Sequence, residues 1–147
     1  MNVRDEAITA AALIGVVVSL LLVGVVSGTM LRHVVQIAPV VAAILVVIIR
    51  PQWTRYAAAP VLLFWLFIMV LIWLFLLGLA RVVTGQYTPV EVVLTLTIGI
   101  ACSVGLWAVL RSASRVPGWF GLAVFLTFAA LQVGAMWLSL QPAFATR

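Results

Sequence analysis

The sequence predicts an all-α fold, a polytopic bundle of five transmembrane helices, and three observations carry that prediction. Of the 147 residues, 67% are hydrophobic and only 7% are charged, against about 25% charged in ordinary soluble domains. The stretch from Pro60 to Ala80 holds 21 residues without a single charge, and Arg81 closes it. At about 1.5 Å per helical residue that stretch reaches ~31 Å, the thickness of a bilayer's hydrocarbon core. Four further apolar runs recur along the chain, separated by short polar connections. Three acidic and eight basic residues cannot clothe a globule of this size in polar surface. Residues 1–147 therefore read as one membrane domain, with no room for a soluble one.

The first span is expected over about residues 7–28, after a short polar head from Asn2 to Glu6. Its apolar run is longer than the about 7–15 residues of a signal-peptide core, and Asp5 and Glu6 spoil a basic leader, so it reads as a retained span. Ser27-Gly28-Thr29 and Arg32-His33 break the run into a tight helical hairpin. The second span then covers about 31–49 with Pro39 inside it, where proline removes one backbone hydrogen bond and predicts a kink. A re-entrant second segment, leaving four spans, is the alternative.

Arg50 to Tyr56 is the most polar connection, and Trp53 and Tyr56 beside two arginines are typical interfacial anchors. The third span covers about 60–80. Thr88-Pro89-Val90-Glu91 has the form of a capping box with proline at the first helical position, opening a fourth span over about 89–110. Pro117 opens the fifth, over about 117–140.

Five spans place Arg4, Arg50, Arg55, Arg111 and Arg115 on one side, and Arg32, Arg81 and Arg147 on the other. That asymmetry predicts an inside N-terminus. The expected location is a bacterial cytoplasmic membrane; that all eight basic residues are arginine carries no argument of its own. The arginines lie singly or in pairs between apolar runs, which excludes the clustered footprint of a nucleic-acid binder and points to lipid headgroups instead.

Polar residues inside the spans are few, and each is a candidate. Glu91, Thr95, Gly99 and Ser103 recur every four residues and so share one helix face, the pattern of a proton or cation path. The structural alternative is that Glu91 completes the capping box, with Arg81 on the same membrane side. His33 and Gln36 are three apart beside Pro39, where they could meet the freed carbonyl of Val35 or rest at the headgroup level. Gln132 reads as an interhelical hydrogen-bonder and Cys102, the single cysteine, as a small packing residue. Ala7, Ala11, Gly15 and Ser19, followed by Gly24 and Gly28, form a small-residue stripe suited to close helix packing, within the chain or across a homodimer.

With one histidine, one cysteine and one acid in the apolar region, no hydrolytic or metal site assembles within a chain, so enzyme activity is not expected. Arg50-Pro51-Gln52-Trp53 is similar over four positions to a loop motif of TspO-type proteins. Thr54-Arg55-Tyr56 departs from the motif's second half, and that family's asparagines and C-terminal Pro-Tyr segment are missing, so no family is assigned. The expected role is an accessory or scaffold subunit of a membrane assembly, bound to lipid and to other subunits or to copies of itself. Two alternatives stand beside it: a small oligomeric transporter or channel using the Glu91 face, and a binder of an apolar cofactor, such as a quinone or carotenoid, at the aromatics of the third span.

Overall fold

The computed structural model describes residues 3–83, 85–112 and 116–145, the side chain of Ala145 excepted. Arg115 and Arg147, which enter the arginine asymmetry, lie outside the described residues. Those described form α1 (Val3–Val26), α2 (Met30–Ile49), α3 (Thr54–Leu76), α4 (Pro89–Arg111), α5 (Gly118–Ser139) and a short α6 (Pro142–Ala145), with a 3-10 turn, Pro51–Trp53, leading into α3. Each of the first five is long and apolar enough to cross a bilayer.

Local chemistry sets the helix ends. After α1 the chain turns at Gly28, whose φ of 68° is open to glycine at little cost, and the Thr29 N–H donates back to the Gly24 carbonyl at 2.9 Å. After α3, Gly78 takes φ 73°, and the N–H groups of Leu79 and Ala80 both donate to the Leu74 carbonyl. At the start of α4 the Thr88 hydroxyl accepts from the Glu91 N–H, and the Glu91 side chain accepts from the Thr88 N–H, a complete capping box.

Two helices are bounded differently from the sequence expectation, α1 as Val3–Val26 against about 7–28 and α3 as Thr54–Leu76 against about 60–80. Helix α1 begins at Val3, so Asp5 and Glu6 lie in its first turn, where carboxylates favour the positive end of the helix dipole. Helix α3 runs from Thr54 to Leu76 and contains Pro60 in place of starting there. Proline forfeits the bond to the Tyr56 carbonyl. The turns before it are kept helical by tertiary packing, since Thr54, Ala57 and Ala58 are all buried. Helix α2 likewise continues unbroken through Pro39 for 20 residues, a full-length helix where a re-entrant segment was the alternative.

The helices alternate in direction and close into a ring in the order α1, α4, α3, α5, α2, with α2 also touching α3 across the middle. The α1–α4 pairing is the most extensive, and it is tightest where Ala12, Leu62 and Gly105 meet. A Cβ on Gly105 would stand 2.9 Å from both the Ala12 Cβ and a Leu62 methyl. Leu13, Val16, Val40, Val61 and Cys102 fill the interior beside them. Helix α5 contributes least to the core; its buried residues are Gly121, Phe128, Gln132 and Ser139. Gly121 lies against the ring of Tyr56, which occupies the space a Cβ would need.

Alternation gives the bundle two ends. Exposed Arg4, Arg50, Arg55 and Arg111 mark the first; exposed Arg81 and half-buried Arg32 mark the second. Tryptophans follow the same division. Trp53, Trp107 and Trp119 lie toward the first end, with Arg111 stacked 4.5 Å over the Trp107 ring and Trp53 edge-on to Phe120. Trp73 and Trp137 lie in the last turns of α3 and α5, at the second end, and Trp65 alone is buried at mid-height. Between the ends the outward faces are mainly apolar on every long helix, as at Val18, Leu45, Phe67, Ile100 and Leu126, with Thr97, Ser103 and Thr127 exposed but bonded to their own helix backbone.

Candidate functional site

Among the described residues, three places bring candidate residues or a concave surface together. The first is at the second end, where the α1–α2 turn meets the start of α4. Glu91 is buried there, and its Oε2 accepts from the Thr88 N–H at 2.7 Å and from the Thr88 hydroxyl at 2.9 Å. One carboxylate oxygen is thus committed to ending the helix. His33 Nδ1 lies 3.0 Å from the Thr29 carbonyl and 3.2 Å from the Thr29 hydroxyl, which in turn contacts the Ser27 hydroxyl. Nδ1 donates to the carbonyl or accepts from the hydroxyl according to which ring nitrogen carries the hydrogen. The His33 Cβ also packs on Gly24, where an added Cβ would come within 3.1 Å. Glu91 and Arg32 are both within electrostatic reach of His33 and of Tyr87 in the loop before α4. Burial first, and Glu91 second, push the Tyr87 phenol above its ordinary value, while Arg32 opposes them.

The second place is a polar lock between α2 and α5. Gln36 Nε2 donates to the Ser139 hydroxyl at 2.9 Å and approaches the Met136 sulfur at 3.4 Å. Ser139 passes its own hydrogen to the Met136 carbonyl at 2.7 Å. Gln132, fully buried, donates its amide to the Gln36 carbonyl at 3.2 Å, in the turn that Pro39 loosens. That acceptor fixes the amide's orientation and leaves Oε1 buried with no partner among the described residues. The hydrogen bonds of His33 and Gln36 therefore diverge, one toward the α1 turn and one toward α5, and these two residues do not form one pocket.

The third place is a groove of about 430 Å³ between α3 and α4, open to the outside of the bundle. Met69, Trp73 and Leu77 line it from the α3 side, and Thr95, Gly99 and Ser103 from α4. Neither hydroxyl is directed at an occupant. Thr95 donates to the Val92 carbonyl at 2.7 Å, and Ser103 to the Gly99 carbonyl at 2.9 Å. The four-residue repeat on α4 is thereby divided. Glu91 is engaged in the cap, and the other three line an outward-facing groove.

The small-residue stripe of α1 divides too. Ser19 and Gly24 are buried and Gly15 faces Ala101 of α4, whereas Ala7 and Ala11 are exposed and Gly28 is a turn residue. Ala12, one position off the stripe, makes the close contact. Arg81 is exposed at the second end. Among the described residues, no three His, Cys, Asp or Glu side chains gather as a metal site.

Gly105 and Ser139 escaped sequence reasoning. A glycine in a long apolar helix carries no sign of which neighbour it admits, and a serine at a helix end reads as a terminus. No protein-family model, curated protein or solved structure matches this chain.

Proposed function

We propose that this chain is an integral membrane protein, inserted by all five long helices, that serves as an accessory or scaffold subunit of a larger membrane assembly and does no catalysis of its own. The observation that carries insertion is the outer surface. It is mainly apolar on every long helix and bounded at both ends by tryptophan and arginine. Soluble monomers rarely expose contiguous apolar patches beyond a few hundred Å², and aromatic belts with flanking arginines are the usual interface anchors of spanning helices. Four arginines at the first described end against two at the second favour that end on the cytoplasmic side of a bacterial inner membrane.

The scaffold reading rests on how the polar groups are used. Glu91 holds a cap, Thr95 and Ser103 bond their own backbone, and Gln36 and Gln132 join α2 to α5. These engagements favour fixed packing over a conducting path. The test is the mass and composition of the particle extracted from native membranes in mild detergent. Stoichiometric copurifying membrane subunits are the expected result. A lone chain that moves protons or cations into liposomes, with flux lost in Glu91→Gln, would overturn this reading in favour of transport.

A second reading, binding of an apolar molecule, is favoured by the groove between α3 and α4.

A further inference from the structure

We propose that the α3–α4 groove is the seat of one acyl chain of an anionic membrane lipid, whose headgroup is met by Arg81. The proposal rests on the membrane reading above and adds a ligand to it. Its first support is length. The groove is lined from Leu66 on α3 to Leu77 just past its end, and from Thr95 to Val104 on α4, runs of about 16 Å and about 14 Å at the helical rise. Each is roughly half of the ~30 Å hydrocarbon core, the depth of a single leaflet. A helix from a second copy would call for a channel along the full height of the bundle, and this one stops midway.

The second support is chemistry. The lining is Leu, Met, Val, Ile and Trp, with Gly99 and the two hydroxyl residues Thr95 and Ser103. An occupant that brought polar atoms to this depth would find few partners for them, since both hydroxyl hydrogens are already given to α4 carbonyls, whereas a hydrocarbon chain asks for none. Gly99 keeps the α4 side low: a Cβ there would only just touch Met69, at 4.0 Å, so the space over it is open to an occupant.

Charge supplies the third support. The groove ends at Leu77, and exposed Arg81 follows four residues later at the same end of the bundle. An arginine at the end of the bundle where this apolar slot finishes would favour an anionic headgroup over a zwitterionic one.

The test uses the full chain in vesicles of phosphatidylcholine and phosphatidylglycerol, doped with phosphatidylglycerol carrying a photoactivatable group on one acyl chain. Cross-linked peptides are mapped by mass spectrometry. The expected labels concentrate on residues 66–77 and 95–104, above the level on the outer face of α5. Gly99→Leu and Ser103→Leu, which fill the slot, are expected to lower groove labelling to the α5 level while leaving the α5 labels unchanged. Arg81→Gln is expected to lower labelling by the phosphatidylglycerol probe about fivefold, and labelling by a phosphatidylcholine analogue hardly at all.

Competition with unlabelled phosphatidylglycerol and phosphatidylcholine on the unaltered chain tests the same preference should a variant fail to fold. Equal labelling of all outer faces overturns the seat, as do protein-to-protein cross-links through the groove, which would place a second copy there. Equal competition by the two lipids overturns the role of Arg81. Failure of the membrane reading is distinct: the chain would then be removed from vesicles by alkaline carbonate, before any label is placed.

Discussion

Gly105 stands where α1, α3 and α4 converge, with Ala12 and Leu62 at the limit of contact. Gly105→Leu is expected to cost about 1–3 kcal/mol, because a packed interior has no room for the added carbons. Gly134→Ala is the counterpart, since open space surrounds that position on α5. It is expected to gain up to about 1 kcal/mol from helix propensity. Thermal unfolding in one detergent measures both, and equal melting temperatures would contradict the packing described. At Glu91, glutamine keeps an acceptor for the Thr88 N–H and loses the favourable charge near the helix start. Glu91→Gln is expected to cost about 0.3–1 kcal/mol, and a larger loss would mean that the carboxylate does more than cap. Tyr87 adds a pH effect. Its phenol ionises later in the folded chain than the ordinary 10.0, so the neutral form is favoured on folding. That stability is intact below the ordinary value and declines as the pH climbs through and above it. Tyr87→Phe is expected to flatten this alkaline decline in a stability–pH series.

Helix α5 depends on its polar lock more than its neighbours depend on theirs, because few of its side chains are buried. Gln36 with Ser139, and Gln132 with the Gln36 carbonyl, tie it to α2 at two levels. A double-mutant cycle with Gln36→Leu and Ser139→Ala is expected to give a coupling of about 0.6 kcal/mol, the average for interhelical hydrogen bonds in lipid, and no more than about 1.7 kcal/mol. A coupling near zero would mean that shape alone seats α5. The prolines of α2 and α3 belong to this scale as well. Neither ends its helix, because burial of Val40 and Ala43 beyond Pro39, and of Ala57 and Ala58 before Pro60, outweighs the single backbone bond each proline removes.

For the molecule as a whole, five alternating helices put the start of α1 and the finish of α5 at opposite ends of the bundle. Inserted in a membrane, it would hold its termini in different compartments. Reporter fusions at residues 2 and 147 are expected to respond from opposite sides, and two reporters answering from one side would contradict five crossings. The exterior bears on assembly. A lipid-filled groove on the α3–α4 side would leave the broad outer face of α5 as the larger apolar surface on which other subunits could pack.

The sequence by itself determined the five apolar helices, the hairpin turn at Gly28, the Thr88–Glu91 capping box and the division of arginines between two ends. All of these are local or depend only on contact with solvent. A run of apolar residues has a length, a capping box has a spacing, and charged or amphipathic side chains collect where water is. Only the tertiary structure decided which faces turn inward. On helices apolar all round, each face has nearly the same preference for lipid or protein, so periodicity says little about direction. Shape then decides: Ala12 meets Gly105 while Ala7 and Ala11 of the adjacent stripe face out. For the same reason Glu91 parted from Thr95, Gly99 and Ser103, and Gln36 found Ser139 on α5 in place of a site shared with His33. Each of these outcomes depends on contours brought together from distant parts of the chain, which no single stretch of sequence contains.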